Sequence, residues 1–270
     1  MTTVGPFDGL PAGPGALARV VQGILIHEHV APTHGVTLSD SQRETVHLRR
    51  VQDMVAAIVA GNARPLEQPR APDRRHAGVC RHFTALHVAM LRHQGMTARA
   101  RCGFATYFAP GKFVDHWVTE TWDADRQRWI LVDAQLDDHQ RRLFGIDFDP
   151  LDVPRDRFLV AGDAWRLCRE GRADPAAFGI HDMAGLWFVA SNVIRDVAAL
   201  ADRAMLPWDV WGAMTADDDA LDRSLIDGLA VLSSAPDGRE PEIAAALADP
   251  RVAVPATVFN AVRNRAEPAT

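Results

Sequence analysis

Cys80, His116 and Asp133 are the residues whose types and order suggest nucleophilic chemistry. A cysteine can attack a carbonyl carbon as a thiolate when a nearby base takes up the thiol proton and later returns it. A third group holds that base in one tautomer. Cys80 opens an apolar pattern with helical spacing that Gly95 closes. A helix N-terminus favours a thiolate and directs backbone N–H groups toward a developing oxyanion. We therefore predict that Cys80 is a nucleophile.

A base and a carboxylate follow the predicted helix. Short aromatic and β-branched runs, separated by turn residues, predict three antiparallel strands at 98–108, 113–122 and 128–132. His116 lies in the second strand, and Asp133 ends the third. If the short turn between them pairs these strands, both residues lie near the same end of the sheet. We predict His116 as the base and Asp133 as the group that orients it, converging with Cys80.

Around this segment the pattern is mainly helical. We predict a loop at 63–77, a frayed tail at 263–270 and a single domain over 1–270, with a catalytic core at 76–136 and mainly helical additions at 1–75 and 137–270. The predicted helices outside the core are 15–30, 39–61, 157–169, 185–205, 218–232 and 240–247.

The amino-acid composition limits which classes of binding partner we expect. The 270 residues carry a formal charge of −6, and Lys112 is the single lysine in the sequence. The sequence has no block of basic residues that could attract phosphates, so we expect no nucleic-acid partner. We expect no membrane partner either, because no secretory signal or long apolar run is visible. Three cysteines do not make a disulfide framework, and we expect a reducing cytoplasm.

Histidines near Cys80 raise the alternative of a metal site. His76, His82, His87 and His93 do not repeat the i, i+4 spacing of a helical zinc pair, and no CxxC accompanies them. The segment 27–29, His-Glu-His, is not an HExxH motif and is interpreted as a charge cluster at a helix C-terminus. We therefore predict no metal and no cofactor.

Four further residues are candidates for substrate binding. Arg81 and Arg99 could bind a carboxylate or phosphate, although paired or solvated arginines are commoner. Glu120 falls on the same face of its strand as His116 and could tune the imidazole. Trp117 could line the acyl site, although packing of the sheet is the more ordinary role for a tryptophan.

The ordered set of motifs resembles a known family. The runs at 78–80, 89–99, 116–120 and 129–133, with Gly103, are similar to the transglutaminase-like core, which is related to papain. The flanking helices resemble those of a bacterial subgroup. The resemblance implies an α+β fold in which a cysteine-bearing helix packs on a small antiparallel sheet, with added N- and C-terminal helices. It also implies the triad Cys80, His116 and Asp133.

This family resemblance implies acyl transfer through a thioester intermediate. The substrate would be a peptide, another amide, an ester or a thioester. Water as acceptor would make the protein an amidase or peptidase, whereas an amine would make it a transamidase; the motifs do not choose between the two. The alternative is a catalytically inactive module that uses the same cleft to bind a peptide or a partner. The sequence predicts no particular oligomeric state.

Overall fold

The computed structural model describes residues 6–270, which form both α-helices and β-strands. The helices are α1 (Pro14–Ile24), α2 (Asp40–Thr45), α3 (Val51–Gly61), α4 (Cys80–His93), α5 (Asp138–Phe144), α6 (Ala161–Arg169), α7 (Leu186–Leu200), α8 (Arg223–Ser234) and α9 (Glu240–Ala246). The strands are β1 (Leu25–His27), β2 (His76–Gly78), β3 (Ala98–Ala105), β4 (Phe113–Asp123), β5 (Arg128–Val132), β6 (Phe158–Val160), β7 (Phe178–Ile180), β8 (Met183–Ala184), β9 (Asp209–Val210), β10 (Thr257–Asn260) and β11 (Arg265–Pro268). The predicted α+β class is confirmed.

The chain divides into two units. Unit 1 comprises the residues up to Arg99 together with Val118–Val153, and unit 2 comprises Ala100–Trp117 and Pro154–Thr270. Strands β3 and β4 each contribute residues to both units. The single-domain organisation stays a prediction. Among residues 6–270, no helix is both long and apolar enough to cross a bilayer.

The apolar core of unit 1 is built mainly from helices. Leu17 and Ile24 of α1, Met54 of α3, and Leu86 and Met90 of α4 are buried without measurable exposure. Leu17 and Ile24 are seven residues apart and Leu86 and Met90 are four apart, so each pair lies on one face of its helix. The chain then leaves α4 through a glycine at position 95 with φ of +77°, a left-handed conformation that glycine adopts readily. This end of the helix is as predicted.

Two predicted helices of unit 1 are shorter than their apolar periodicity indicates. The first ends at Ile24, because Leu25–His27 instead pairs in parallel with His76–Gly78. That pairing also places a strand in the predicted loop. The second begins at the predicted N-cap, Ser39, but is interrupted between Thr45 and Val51. Carbonyl groups in the interruption accept hydrogen bonds from α4, so they are not used within a continuous helix.

The strand pair of unit 1 matches the sequence pattern. Residues Thr119–Asp123 of β4 pair antiparallel with Arg128–Val132 of β5. Gln127, with φ of 52°, takes the left-handed conformation in the short turn between them. The predicted antiparallel hairpin that leads to Asp133 is therefore present.

The sheet of unit 2 adds strands that the sequence did not predict. Strand β6 pairs antiparallel with β3, whereas β7 runs parallel to β4 and antiparallel to β8. Residues 158–160, predicted as helix, therefore form strand β6, and α6 begins only at Ala161. Helices α6, α7 and α8 pack together around a core that includes Phe104, Trp165, Phe178 and Ile194.

The last residues of the chain are ordered, so the predicted frayed tail is wrong. Strand β11 pairs antiparallel with β10, which in turn pairs with β9. Between β10 and β11 the side chain of Asn260 donates a hydrogen bond to Glu267 over 2.9 Å, and both residues are buried. This pairing removes backbone groups from water that a frayed tail would leave exposed.

The connection between β3 and β4 turns sharply within unit 2. Gly111 has φ of +69°, and the backbone N–H of Lys112 donates to the carbonyl of Ala109 over 3.2 Å. The side chain of Lys112 is exposed. The single lysine of the sequence therefore lies on an exposed turn, and it precedes His116 by four residues.

Candidate functional site

Cys80 is the first residue of α4, as the sequence predicts, and only 7% of its surface is exposed. Strand β2 ends two residues earlier, so the chain enters the helix directly from extended backbone at Val79. A helix of 14 residues carries partial positive charge at its N-terminus, where the first N–H groups have no partner within the helix. The local structure around Cys80 therefore favours negative charge.

His82 fixes this first turn of α4. Its Nδ1 accepts from the backbone N–H of Val79 over 3.2 Å, and its Nε2 lies 3.1 Å from the carbonyl oxygen of Leu48. Because a carbonyl can only accept, Nε2 carries the proton. Burial lowers the pKa of His82 well below its usual value. His82 is therefore a neutral residue that joins the start of α4 to the segment between α2 and α3.

Arg81 joins the same two regions of unit 1. Its guanidinium donates to the carbonyl of Leu48 over 3.5 Å and to the carbonyl of Arg49. Only 4% of the residue is exposed. These bonds give Arg81 a role in holding the turn that carries Cys80, and its predicted contact with substrate stays a prediction.

His87 lies further along α4 and joins the helix to two other elements of unit 1. Its Nδ1 is 3.0 Å from the hydroxyl of Thr119 in β4, and its Nε2 is 2.9 Å from the carbonyl oxygen of Pro14 in α1. Burial lowers the pKa of His87 to about 4. A neutral ring that donates to Pro14 and accepts from Thr119 satisfies both contacts.

His116 lies in the part of β4 that belongs to unit 2, and only 2% of the residue is exposed. Three aromatic rings of the same unit meet its imidazole edge-on. The ring centroids lie 4.9 Å away for Phe108, 6.0 Å for Tyr107 and 6.4 Å for Phe158. These aromatic side chains thus cover part of the imidazole and limit its exposure to water.

Asp133 directly follows β5 in unit 1 and is 1% exposed. Its backbone N–H donates to the carbonyl of Pro150 over 2.8 Å. One carboxylate oxygen, Oδ1, accepts from the backbone N–H of Gln135 over 3.1 Å. This local bond fixes the side chain as the chain turns out of the strand.

Two of the predicted substrate-binding residues contact each other. The Nε of Arg99 lies 2.6 Å from a carboxylate oxygen of Glu120, and the guanidinium carbon lies 3.9 Å from the centre of the Trp129 ring. Glu120 is 1% exposed, so the ion pair is largely shielded from water. Both charged groups therefore have structural contacts inside unit 1, while their predicted role in substrate binding stays a prediction.

Trp117, the residue after His116, is also buried in unit 2. Its indole Nε1 has no hydrogen-bond partner. An unsatisfied buried N–H group costs free energy, so most buried tryptophans find an acceptor. The predicted role of Trp117 in lining an acyl site stays a prediction.

Asp115, the residue before His116, belongs to a buried polar network. Its Oδ1 accepts from the side chain of Asn192 over 2.7 Å, and the side-chain oxygen of Asn192 accepts from Arg195 over 3.0 Å. From the sequence, Asp115 beside His116 could tune the imidazole or face solvent, and its link to Asn192 and Arg195 was not predicted. The available signal was the presence of Asn192 and Arg195, three residues apart, inside a largely apolar helical run.

The other two cysteines have structural surroundings. Cys102 is completely buried, and its backbone N–H donates to Asp196 over 2.7 Å. Burial raises the pKa of Cys168 to about 11, which disfavours a reactive thiolate there. None of the three cysteines forms a disulfide.

The histidines do not assemble with other ligands into a metal cluster within the described part of the chain. Between residues 6 and 270, no group of three or more His, Cys, Asp or Glu side chains could hold a metal ion. The segment 27–29, interpreted from the sequence as a helix C-terminus, instead begins at the last residue of strand β1. The ring of His27 there stacks on Phe83 with centroids 6.4 Å apart.

The family comparison matches residues 41–134 to the transglutaminase-like superfamily. The predicted resemblance is thereby confirmed, and the matched range begins earlier than the motifs that suggested it. It includes Cys80, His116 and Asp133. The roles of these three residues stay predictions.

The structural comparison finds a similarity to the crystal structure of a protein named "Putative Cysteine Protease from Cytophaga hutchinsonii". The two chains are 17% identical over 48% of this chain and 34% of the other, with a TM-score of 0.26. The chain thus matches about a third of the length of that protein. The comparison with curated proteins finds no match.

Proposed function

We propose that the protein transfers acyl groups through a thioester formed on Cys80, with His116 as general base and Asp133 as the carboxylate that orients the imidazole. The substrate would be an amide, an ester or a thioester. The observation that carries the proposal is the position of Cys80 at the first turn of the 14-residue helix α4. The superfamily match, which includes all three residues, supports the same assignment.

The proposed reaction has two steps. His116 takes the proton of the Cys80 thiol, the resulting thiolate attacks the carbonyl carbon, and the N–H groups at the start of α4 stabilise the oxyanion. The oxyanion then collapses, the bond to the leaving group breaks, and the protonated imidazole of His116 gives its proton to the departing amine, alcohol or thiol. In the second step His116 removes a proton from water or an amine as it attacks the thioester, and the thiolate of Cys80 is released.

The hydrogen bonds of the other buried histidines favour His116 as the base. Both ring nitrogens of His82 contact backbone groups, and both ring nitrogens of His87 have partners. Burial also lowers the pKa of His76 to about 4. These residues are poor proton acceptors near neutral pH, because taking up a proton would break contacts or require a buried charge.

Intact-mass spectrometry after incubation with a panel of activated esters, thioesters and peptide amides tests the nucleophile. We expect an acyl adduct on the wild-type protein and on a Cys102→Ser, Cys168→Ser variant, which keeps only Cys80. We expect no adduct on Cys80→Ala. An adduct that persists in Cys80→Ala would contradict the proposal, as would the absence of any adduct with every donor class.

The acceptor distinguishes an amidase or peptidase from a transamidase. Hydroxylamine competes with water for the thioester and yields a hydroxamate that can be measured by colour or mass. A transamidase should form the hydroxamate at the expense of the free acid, whereas a hydrolase should form mainly the acid. His116→Gln should slow both routes to a similar extent, because the same base serves both acceptors.

A catalytically inactive binding module predicts a different pattern of thiol reactivity. If Cys80 is activated, iodoacetamide should alkylate it at least tenfold faster than Cys102 or Cys168 at neutral pH. His116→Gln should reduce that difference. Equal and slow alkylation of all three thiols would favour the binding module over the enzyme.

A further inference from the structure

We propose that Asp115, held by Asn192 and Arg195, is a positioning residue that fixes the strand carrying His116 and stabilises the imidazolium during acyl transfer. The inference rests on the proposed function, because it concerns the base of that reaction. All of the residues involved belong to unit 2. They are outside the triad that the motifs predict.

The contacts form a chain from helix α7 to strand β4. Asn192 donates from its side-chain nitrogen to Oδ1 of Asp115 over 2.7 Å. Arg195, one turn later, donates to the side-chain oxygen of Asn192 over 3.0 Å. These contacts fix the orientation of the Asn192 amide, because its nitrogen must face the carboxylate and its oxygen must face the guanidinium.

Arg195 connects this chain to a further segment of unit 2. Its Nη2 donates to the backbone carbonyl of Asp209 over 2.9 Å, and the carboxylate of Asp209 accepts from the N–H of Leu206 over 3.0 Å. The Nε of Arg195 is buried and has no hydrogen-bond partner. A guanidinium with an unsatisfied N–H group is costly to bury, so its positive charge needs compensation by nearby negative groups.

The electrostatics link Asp115 to His116. Burial raises the pKa of Asp115, whereas Arg195, the bond from Asn192 and a positive charge on His116 each lower it. Arg195 in turn faces Cys102, Asp115 and Asp209. Interaction energies between two charges are reciprocal, so an ionised Asp115 stabilises a protonated His116. That protonated state is the one that gives a proton to the leaving group.

The position of Asp115 in the strand explains how it can act without reaching the substrate. Successive side chains of a strand point to opposite faces, so Asp115 and His116 share a backbone but not a face. Holding Asp115 against α7 therefore limits rotation of the backbone that carries the imidazole. The imidazole itself contacts the aromatic rings of Tyr107, Phe108 and Phe158.

Titration of the His116 ring by NMR tests the inference. The protein would be labelled with ¹³C-histidine, and the His116 signal would be assigned by its loss in His116→Gln. Asp115→Asn keeps the shape of the side chain and removes its charge. We expect the midpoint of the His116 titration to move to lower pH by about 0.5 unit or more, and Asn192→Ala to cause a smaller movement in the same direction.

Asp227→Asn is the matched control, since it removes one carboxylate charge from the same unit at a half-exposed position on α8. It should leave the His116 midpoint unchanged. Should Asp115→Asn fail to fold, judged by near-UV circular dichroism, Asn192→Ala carries the test. A His116 midpoint that moves by less than about 0.2 unit in the folded Asp115 or Asn192 variant would overturn the inference.

Acylation of Cys80 separates this inference from the proposed function. If wild type forms the acyl adduct and Asp115→Asn lowers the acylation rate about tenfold with a shifted pH profile, both are supported. If wild type forms no adduct, the proposed function fails whatever the His116 midpoint does. If wild type is acylated and Asp115→Asn retains both its rate and its pH profile, the proposed function stands and the positioning role is refuted.

Discussion

The start of α4 in unit 1 and the strand around His116 in unit 2 are held by different kinds of polar contact. In unit 1, Arg81 and His82 hydrogen-bond to backbone groups, and none of those bonds uses a carboxylate. In unit 2, Asp115 and Asp196 are buried with Arg195 and Arg101 nearby. In the first region the neutral imidazole of His82 and the guanidinium of Arg81 bond to backbone groups, whereas in the second region buried carboxylates lie beside buried arginines.

This difference predicts which changes should destabilise each region. A buried neutral histidine is destabilising once acid forces a proton onto it. A buried ion pair is tolerant of moderate pH but is sensitive to the loss of one partner, which leaves the other charge uncompensated. Substitutions and pH therefore act on the two regions in separable ways.

The largest effect is expected at Asp196 in unit 2. Its carboxylate accepts from Arg101 over 2.8 Å, from Ser233 over 2.7 Å and from the N–H of Cys102 over 2.7 Å. Asp196→Ala should lower the free energy of unfolding by about 3–5 kcal/mol, because Arg101 stays buried without its partner. Urea denaturation followed by circular dichroism measures this. Arg251→Ala, which removes exposed ion pairs, should cost far less stability than Asp196→Ala.

Acid should destabilise unit 1 through His87. In the unfolded chain His87 takes up a proton near pH 6.5, whereas in the folded protein it does so only near pH 4. Its contribution to stability is fully present above pH 6.5 and is lost as the pH falls to about 4. The loss for one such histidine is roughly 3 kcal/mol.

His87→Gln should flatten the fall in stability between pH 6.5 and 4, because glutamine has no titratable group. Thermal or urea unfolding at several pH values measures the slope. His93→Gln, at the exposed end of the same helix, is the control and should leave the slope unchanged. An unaltered slope in His87→Gln would show that other groups cause the acid sensitivity.

His82 tests the contacts that hold the first turn of α4. His82→Ala removes the bonds to Val79 and Leu48 and should lower the free energy of unfolding by about 2–3 kcal/mol. It should also make Cys80 react more slowly with iodoacetamide, because the turn would fray. The asparagine of His82→Asn can still accept from the N–H of Val79, so its Cys80 should react at a rate between those of wild type and His82→Ala. A His82→Ala protein in which Cys80 reacts as fast as in wild type would contradict the role of His82 in fixing the turn.

The smallest effect is expected at Trp117. Its Nε1 has no partner, whereas the Nε1 of Trp211 donates to the carbonyl of Val252 over 3.0 Å. Trp117→Phe should therefore change stability by less than about 1 kcal/mol, and Trp211→Phe should cost about 1–3 kcal/mol, since the donor to the Val252 carbonyl is lost together with volume. Equal costs in urea denaturation would indicate that packing alone determines both.

The parts of the fold that were predictable depend on local signals. The aromatic and β-branched residues of β4 and β5 predict their hairpin, and Ser39 predicts the start of α2. Strand β1 was not predictable, because Leu25 continues a helical pattern and its partner, His76, lies far along the chain. Pairing across such distances overrides local periodicity.

The candidate site shows the same division. The position of Cys80 at a helix start was predictable from the apolar spacing after it. The partners of the charged residues were not, since Asn192 is 77 positions from Asp115 and Glu120 is 21 positions from Arg99. No short-range sequence pattern indicates contacts of that kind, so the pairing of Arg99 with Glu120 was not predicted.

The exposed turn between β3 and β4 offers a site for chemical labelling of the protein. Because Lys112 is the sole lysine of this sequence, an amine-selective dye attaches at that side chain and, where it is unblocked, at the α-amino group. The two sites differ in basicity: labelling near neutral pH favours the less basic α-amino group, and a higher pH increases the share of dye at the lysine. A fluorophore placed there would leave every thiol untouched, and it could follow events in strand β4 while Cys80 remains available for chemistry.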